Sequence, residues 1–389
     1  MKICAIGLRG IPDVMGGIET HCEHLYPRLA SLDETLDIVV IGRSGHAPTG
    51  QFGKIRVVSL WAPKQKALET LIHTPLAILW ARLFLHPDVI HLHAIGPGFF
   101  APLARALGFR VIATHHAADY DRPKWGRFGK WFLKAGERMI AVFANDVICV
   151  SSTIEEDLSR RYPAAKGRTV TIRNGAPPAK AQDMTAIDPL AQFQLTRGGY
   201  ILGVGRLDPT KGFHDLVRAF QTAKPKGMKL VIAGGAPDGD AYAGKLRGQA
   251  AHDIVFTGPL PAESVRALYR NAALFVHPSY LEGFAMVVLE AVEANVPMLV
   301  TDIPAHREVG LDASAFYMPG DVTVLANRLA SGVYDALRCS GRDTILREND
   351  WATVAERHRE IIIRHAPPKA KPRQKVRQPP AHDVHASGP

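Results

Sequence analysis

Two glutamates eight positions apart, Glu282 and Glu290, stand in the apolar stretch SYLEGFAMVVLEAVEANVPMLV, residues 279–300. A carboxylate among Phe284, Val287, Val288, Leu289, Ala291 and Val292 is costly to desolvate unless a partner meets it. Upstream, GVGRLDPTKGF supplies Arg206 and Lys211 beside a strand end and a helix start. Arg offers a planar fork and Lys a point charge, and at such an edge the two suit a diphosphate. Acids that accept from hydroxyls, with cations that neutralise a diphosphate, describe a ligand that is both phosphorylated and rich in hydroxyls.

ALFVHPS reads as a strand, residues 279–285 as the loop leaving its carboxyl end, and a helix follows to about Asn295. Glu282 then lies in the loop, beside the backbone N–H groups of Gly283, Phe284 and Ala285, which are free donors for an anion or for sugar hydroxyls. Glu290 sits one to two turns inside the helix. A ribose diol donating to both its oxygens would offset its burial; a narrow solvated strip of helix would do the same. A glycine cluster near the start, GLRGIPDVMGGIE, lacks the G-x-G-x-x-G spacing of a dinucleotide site. Gly16 and Gly17, just before a helix, permit close backbone approach to an anion or sugar, or simply make a tight turn.

The elements that must position these residues alternate along the chain. Strands are expected at Lys2–Gly7, Asp37–Gly42, Ile55–Leu60, Asp88–His93, Arg110–Thr114, Asp146–Val150 and Val170–Ile172, with helices at Gly17–Ala30, Lys66–Leu85 and Lys124–Ala144 between them. The pattern restarts with YILGVGRL, MKLVIAGG, DIVFTGPL, ALFVHPS, PMLVTD and SAFYMP, separated by helices at Gly212–Ala223, Ala241–Ala250, Ala262–Asn271 and Ala285–Asn295. Such alternation predicts an α/β fold of two doubly wound, Rossmann-like domains facing a cleft. The expected bounds are 1–175 for the first domain, 176–198 for a linker and 199–345 for the second domain. The segment 367–389 reads as a disordered basic tail, rich in proline and nearly free of large apolar residues.

The chain has 389 residues, 47% of them apolar, and a formal charge of +10. The bias outside the tail fits phosphate ligands, an anionic membrane surface or plain solubility; no nucleic-acid partner is expected. Cys4, Cys22, Cys149 and Cys339 form no C-x-x-C pair, so reduced thiols and a cytoplasmic location are expected. The start, MKICAIGLRG, reads as strand and glycine turn rather than a signal peptide. LIHTPLAILWARLFL, residues 71–85, is expected to fall short of a membrane span.

The combination resembles the retaining GT-B glycosyltransferases of the bacterial group-1 and family-4 type. The matches are GVGRLDPTKG (203–212), VFTGPLP (255–261), HPSYLEGFAMVVLEA (277–291) and IRNG (172–175). GLRGIPDVMGGIET and DYDRPKWGRFGKWFLKAGER are most similar to a rhamnosyltransferase-like branch. The resemblance implies that Arg206 and Lys211 hold the donor diphosphate, that Glu290 binds the ribose, and that Glu282 approaches the transferred sugar with the Gly283, Phe284 and Ala285 amides nearby. It further implies that Gly258 and Leu260 line the base pocket, that Gly16 and Gly17 close the cleft, and that Asn174 lies near the hinge. His116 would bond the donor sugar or the acceptor. A helix within 346–366, anchored by Trp351, would cross back onto the first domain. Where the family usually carries a second glycine, this chain has Ala285.

The expected reaction moves a sugar from a nucleotide-sugar donor to a hydroxyl with retention, in polysaccharide or glycolipid synthesis. No metal or other cofactor is expected, since two cations already neutralise the diphosphate; DYD at 119–121 is a D-x-D match. The acceptor is a sugar or a lipid-linked sugar. RPKWGRFGKWFLK interleaves cations with aromatics, which fits either contact with an anionic membrane or aromatics packed on the sheet. A nucleotide-sugar epimerase and a non-catalytic nucleotide-sugar-binding protein are the competing readings.

Overall fold

The computed structural model describes residues 1–63, 65–122, 125–177, 188–236 and 239–366. The tail expected at 367–389 and residues 178–187 of the linker expected at 176–198 lie outside the described residues.

Two sheets form among the described residues. The first is built from β1 (Lys2–Ile6), β2 (Asp37–Arg43), β3 (Gly50–Phe52), β4 (Ile55–Leu60), β5 (Val89–His93), β6 (Arg110–His115), β7 (Asp146–Cys149) and β8 (Thr169–Thr171). Its spatial order is β3-β4-β2-β1-β5-β6-β7-β8, parallel except at β3. The second is built from β9 (Tyr200–Val204), β10 (Lys229–Ala233), β11 (Ile254–Gly258), β12 (Leu274–His277), β13 (Met298–Thr301) and β14 (Phe316–Tyr317). It is parallel throughout, in the order β11-β10-β9-β12-β13-β14.

Each sheet starts in its interior, grows one way, then crosses over and grows the other. The switch falls between β1 and β5 in the first sheet and between β9 and β12 in the second. At such a point the connections leave in opposite directions and open a crevice at the strands' carboxyl ends. Strands covered on both faces need near-continuous apolar sequence, and β9, YILGV, is buried at every position. β5 is also buried throughout, although VIHLH brings His91 and His93 inside.

The helices α1 (Gly17–Leu32), α2 (Lys66–Trp80), α3 (Arg127–Phe143), α4 (Phe213–Ala223), α5 (Ala262–Asn271), α6 (Met286–Glu293) and α7 (Trp351–Ile363) flank the sheets. Asp350 caps α7, accepting from the N–H of Ala352 at 2.9 Å and so satisfying one of the helix's orphan donors. The helix packs on α1, as a crossing helix should. Trp351 is fully buried there, its ring 5.2 Å from that of His24.

The α2 region departs from expectation. The helix continues through a π turn at Ala81–Leu85, and Leu68–Leu85 is long and apolar enough to cross a membrane, with a mean hydropathy of 1.3. Its inner face is nonetheless a core face: His73, Thr74, Ala77, Ile78 and Ala81 are fully buried, and His73 Nε2 contacts the Gly42 carbonyl at 3.0 Å. Leu68, Ile72, Leu76, Leu79 and Leu83 form an exposed outer stripe at the three- and four-residue spacing of one helix face.

Candidate active site

The second sheet positions the cations and one acid. β9 ends at Val204, Gly205 follows, and Arg206 leaves the carboxyl end exposed, its side chain in no ion pair or hydrogen bond among the described residues. A short turn at Pro209–Lys211 comes next. Asp208 locks it by accepting from the Thr210 N–H at 3.0 Å and from the Thr210 hydroxyl at 2.6 Å. Gly212 then adopts a φ of +66°, and a Cβ there would lie 2.0 Å from the Pro278 carbonyl; glycine tolerates both conditions.

That contact is one of several between the Lys211 turn and the loop after β12. The Thr210 carbonyl accepts from the Tyr280 N–H at 2.7 Å and from the Ser279 hydroxyl at 3.1 Å. Tyr280 also donates to Asp215 on α4. The two loops are thereby fixed to each other, and Lys211 and Glu282 form a buried ion pair through Nζ and Oε1. His277 Nε2 lies 2.8 Å from the same Oε1. Burial alone would raise the Glu282 carboxyl, but the Lys211 ammonium and the His277 hydrogen bond outweigh it and hold the group well below its ordinary value. Burial lowers the His277 imidazole in spite of Glu282.

Lys211 and Glu282, expected to meet a diphosphate and a sugar, are each other's counter-ion in this structure. The reason is desolvation, since both side chains are largely buried and an unpaired charge there would be costly. Arg206 is the cation left open. Its guanidinium is lowered first by desolvation and next by Arg122, with Asp208, Asp119 and Glu282 opposing.

Arg122 was not foreseen. Its Nε stands 2.6 Å from Asp119 Oδ1 in the first lobe and its Nη1 3.9 Å from Asp208 Oδ2 in the second. It adds a third cation to the crevice and commits Asp119 of the DYD segment to an ion pair.

The two lobes meet where the glutamate loop passes the first sheet. A Cβ at Gly283 would fall 1.7 Å from the carbonyl oxygen of His116, so only glycine fits there. The amides of Gly283, Phe284 and Ala285 donate no hydrogen bond among the described residues. Phe284 and Ala285 are buried, and α6 starts at Met286 rather than at Ala285.

Glu290 lies elsewhere in the site. It keeps part of its surface open, yet burial raises its carboxyl to about 7. The Tyr269 hydroxyl and Arg266, both on α5, oppose the rise, and Glu293 adds to it. The groups that oppose the rise are therefore those of α5, which follows Gly258 at the end of β11 and the loop carrying Leu260. Neither Arg206 nor Lys211 stands among them. Gly258 has a φ of +71° and an open Cβ position, and its carbonyl accepts from the Gly234 N–H at 3.0 Å. Leu260 is partly buried against the core.

The first lobe contributes a cluster of imidazoles. His21 of α1, His91 and His93 of β5, His116 after β6 and His358 of α7 stand close together. Burial depresses all five, His21 to about 4 and His91 to about 3, so they are neutral near pH 7. His93 Nδ1 and His116 Nε2 are 3.1 Å apart. Asn174 Oδ1 lies 2.7 Å from His21 Nδ1, so this expected hinge residue orients a histidine. Gly17 opens α1 with nothing near its Cβ position, while Gly16 is crowded by the Glu19 carboxylate.

Of the expected residues, the structure pairs Lys211 with Glu282, sets Arg206 where Glu282 acts on its charge, brings His116 and Gly283 into contact, ties Asn174 to the histidine cluster, and sets Glu290 beside α5. Arg122, His277, His21 and His93 were missed. His91 and His93 had a signal in the alternation of VIHLH, which puts both on one face. His277 stood in a quoted motif without a role.

Two α/β lobes therefore face each other with Arg206, Lys211 and Glu282 at the switch point of the second and Arg122 on the first. Residues 15–180 match the model for Glycosyltransferase Family 4, and residues 192–339 match that for Glycosyl transferases group 1. Both lobes thus match glycosyltransferase models, and the fold is that of GT-B glycosyltransferases. The α-maltose-1-phosphate synthase of Mycolicibacterium smegmatis is 28% identical over 304 residues, covering 70% of this chain and 78% of that protein. The sucrose-phosphate synthase of Thermosynechococcus elongatus superposes with a TM-score of 0.77 at 22% identity, covering 93% of this chain and 98% of the other. HepE from Anabaena, solved with UDP-glucose, superposes with a TM-score of 0.70 at 19% identity, covering 93% and 99%.

Proposed function

We propose that the protein is a retaining glycosyltransferase that moves a hexosyl or deoxyhexosyl group from a nucleotide sugar to a hydroxyl acceptor. The observation that carries the reading is Arg206. It is an exposed, unpaired guanidinium at the carboxyl end of β9, beside the Lys211–Glu282 pair. The UDP-glucose bound by HepE supports a nucleotide-sugar donor for a chain of this fold.

In this reading the diphosphate enters against Arg206 and draws the Lys211 ammonium, while the Gly283, Phe284 and Ala285 amides face the leaving oxygen. Negative charge grows there as the glycosidic bond breaks. Removing one such donor costs about 2.7–4 kcal/mol of barrier. Glu282, released in part from Lys211, accepts from the transferred sugar and stays oriented by His277. Glu290 takes the ribose diol, with Gly258 and Leu260 against the base and Gly16 and Gly17 closing the far side. The acceptor oxygen bonds to the anomeric carbon on the face from which the diphosphate departs, while its proton passes to the leaving phosphate oxygen, which preserves the anomeric configuration. Two or three cations suffice for the diphosphate, so this step uses no metal.

The acceptor side has a specific surface to explain. Phe128 and Trp131 on α3 are 66% and 58% exposed, among the exposed cations Arg127, Lys130 and Lys134. Their neighbour Phe132 is buried, so the helix divides its aromatics between core and solvent. The helix α2, which carries the exposed leucine-rich stripe, also packs on the turn at Ile95–Gly98 against which α3 packs. Apolar side chains ringed by cations suit the boundary of an anionic bilayer. We read the acceptor as a lipid-linked sugar met at the cytoplasmic face, in polysaccharide or glycolipid synthesis.

The test is incubation with UDP-, GDP- and dTDP-sugars, with and without lipid-linked acceptors. Acceptor-dependent release of nucleoside diphosphate, and a product with the donor's anomeric configuration, are expected. An isomerised free sugar, or binding without turnover, would refute the assignment.

A further inference from the structure

We propose that His21, His93 and His116 form a binding site for one borderline divalent cation, Zn²⁺ foremost, in the cleft wall of the first lobe. One ring nitrogen from each lies within 4.8 Å of the others, with no carboxylate in the set. An all-imidazole donor set selects Zn²⁺, Co²⁺, Ni²⁺ or Cu²⁺ over the oxygen-seeking Mg²⁺ and Ca²⁺. Three imidazoles leave a tetrahedral ion one position for a ligand from the cleft.

An unsatisfied atom points to an occupant. His21 is fully buried, and its Nε2 has no hydrogen-bond partner. Its Nδ1 faces Asn174 Oδ1 at 2.7 Å. An amide oxygen accepts, so Nδ1 carries the proton and Nε2 holds a buried lone pair with nothing to receive it. A cation among the three rings satisfies it.

The groups behind the second ligand close consistently around a bound ion. If His93 coordinates through Nδ1, its Nε2–H donates to the Tyr26 oxygen at 2.6 Å. The Tyr26 hydroxyl then donates to His91 Nδ1 at 3.0 Å. His91 Nε2–H in turn donates to Thr114 Oγ1 at 2.8 Å. Each buried donor in that chain has an acceptor, which is how ligating histidines are oriented elsewhere. His93 Nδ1 and His116 Nε2, 3.1 Å apart, lie close enough to share one ion. A second group, His277, Glu282 and His306, has comparable spacing. There the Lys211 ammonium already occupies Glu282 and repels a cation.

Full-length protein stripped with chelator and dialysed against Zn²⁺ alone should take up one equivalent more than His21→Gln or His116→Gln. His116→Gln serves where the buried His21 variant fails to fold, because His116 is only partly buried. His382 and His385 of the tail contribute equally to all variants. With Co²⁺ the wild type should show the intense visible bands of a tetrahedral site, lost in His116→Gln. Asn174→Leu should weaken the affinity 10- to 100-fold, as loss of such a supporting contact does. Equal uptake by wild type and both histidine variants would overturn the proposal, as would uptake abolished only by His277→Gln.

Discussion

Replacing Glu290 by Gln separates what this acid costs the fold from what it does for a ligand. Burial raises its carboxyl to about 7 from 4.5. The folded chain therefore holds the proton to higher pH than the unfolded chain. Stability is greatest below the unfolded value and falls as pH rises through the folded one. At about 1.36 kcal/mol per pH unit, the ionised acid destabilises the unliganded protein by roughly 3 kcal/mol at about pH 8, as an upper bound. Gln carries no charge, so the variant should exceed the wild type by an amount that grows from near zero at about pH 4.5 towards that bound. Urea denaturation across this range measures it. A ribose diol donating to the ionised carboxylate reverses the sign, since only the charged form accepts at both oxygens. Nucleoside diphosphate affinity of the wild type should then fall by up to about tenfold from pH 8 to pH 6, and the Gln variant should be weak and flat. A stability gap equal at both ends of the range would refute the burial argument. Unchanged affinity in the variant would refute the ribose role.

Other outcomes follow from the same geometry. Arg206→Ala should leave thermal stability unchanged, because the side chain is exposed and unpaired, while turnover falls by about 10²–10³. Lys211→Ala should lose turnover similarly and also lower the melting temperature, since it strands the buried Glu282 carboxylate. Gly283→Ala drives a methyl into the His116 carbonyl, so the lobes must part. Turnover should drop at least tenfold, with a loss of about 1–3 kcal/mol in stability. Trp131→Asp should abolish co-sedimentation with vesicles of anionic lipid at low salt without changing the hydrolysis of soluble donor.

Much of this arrangement was legible in the chain because local pattern carries it. Strand–helix alternation set the two lobes, and β1, β2, β4 and β5 lie within a residue of their expected bounds. What escaped has physical reasons. The helix at Ser152–Arg161 is so polar that it shows no apolar period, although Ser151 caps it. The stripe on α2 is apolar on its solvent side as well as its core side, which hides the helix's orientation. Lys211 and Glu282 are 71 positions apart, and pairing across that distance depends on strand order, which the sequence does not state. The histidine cluster gathers residues from α1, β5, the loop after β6 and α7, so no window of sequence contains it. Glu290 was recognised as a costly acid, but its neighbours Arg266 and Tyr269 come from a separate helix.

The central claim is that a nucleoside diphosphate binds in the crevice through Arg206 and Lys211. Calorimetric titration of UDP, GDP and dTDP against their monophosphates, on the wild type and on Arg206→Ala/Lys211→Ala, tests it most directly. The account predicts that at least one diphosphate binds the wild type more tightly than its monophosphate and that this preference disappears in the double variant. A diphosphate preference that survives loss of both cations would contradict it.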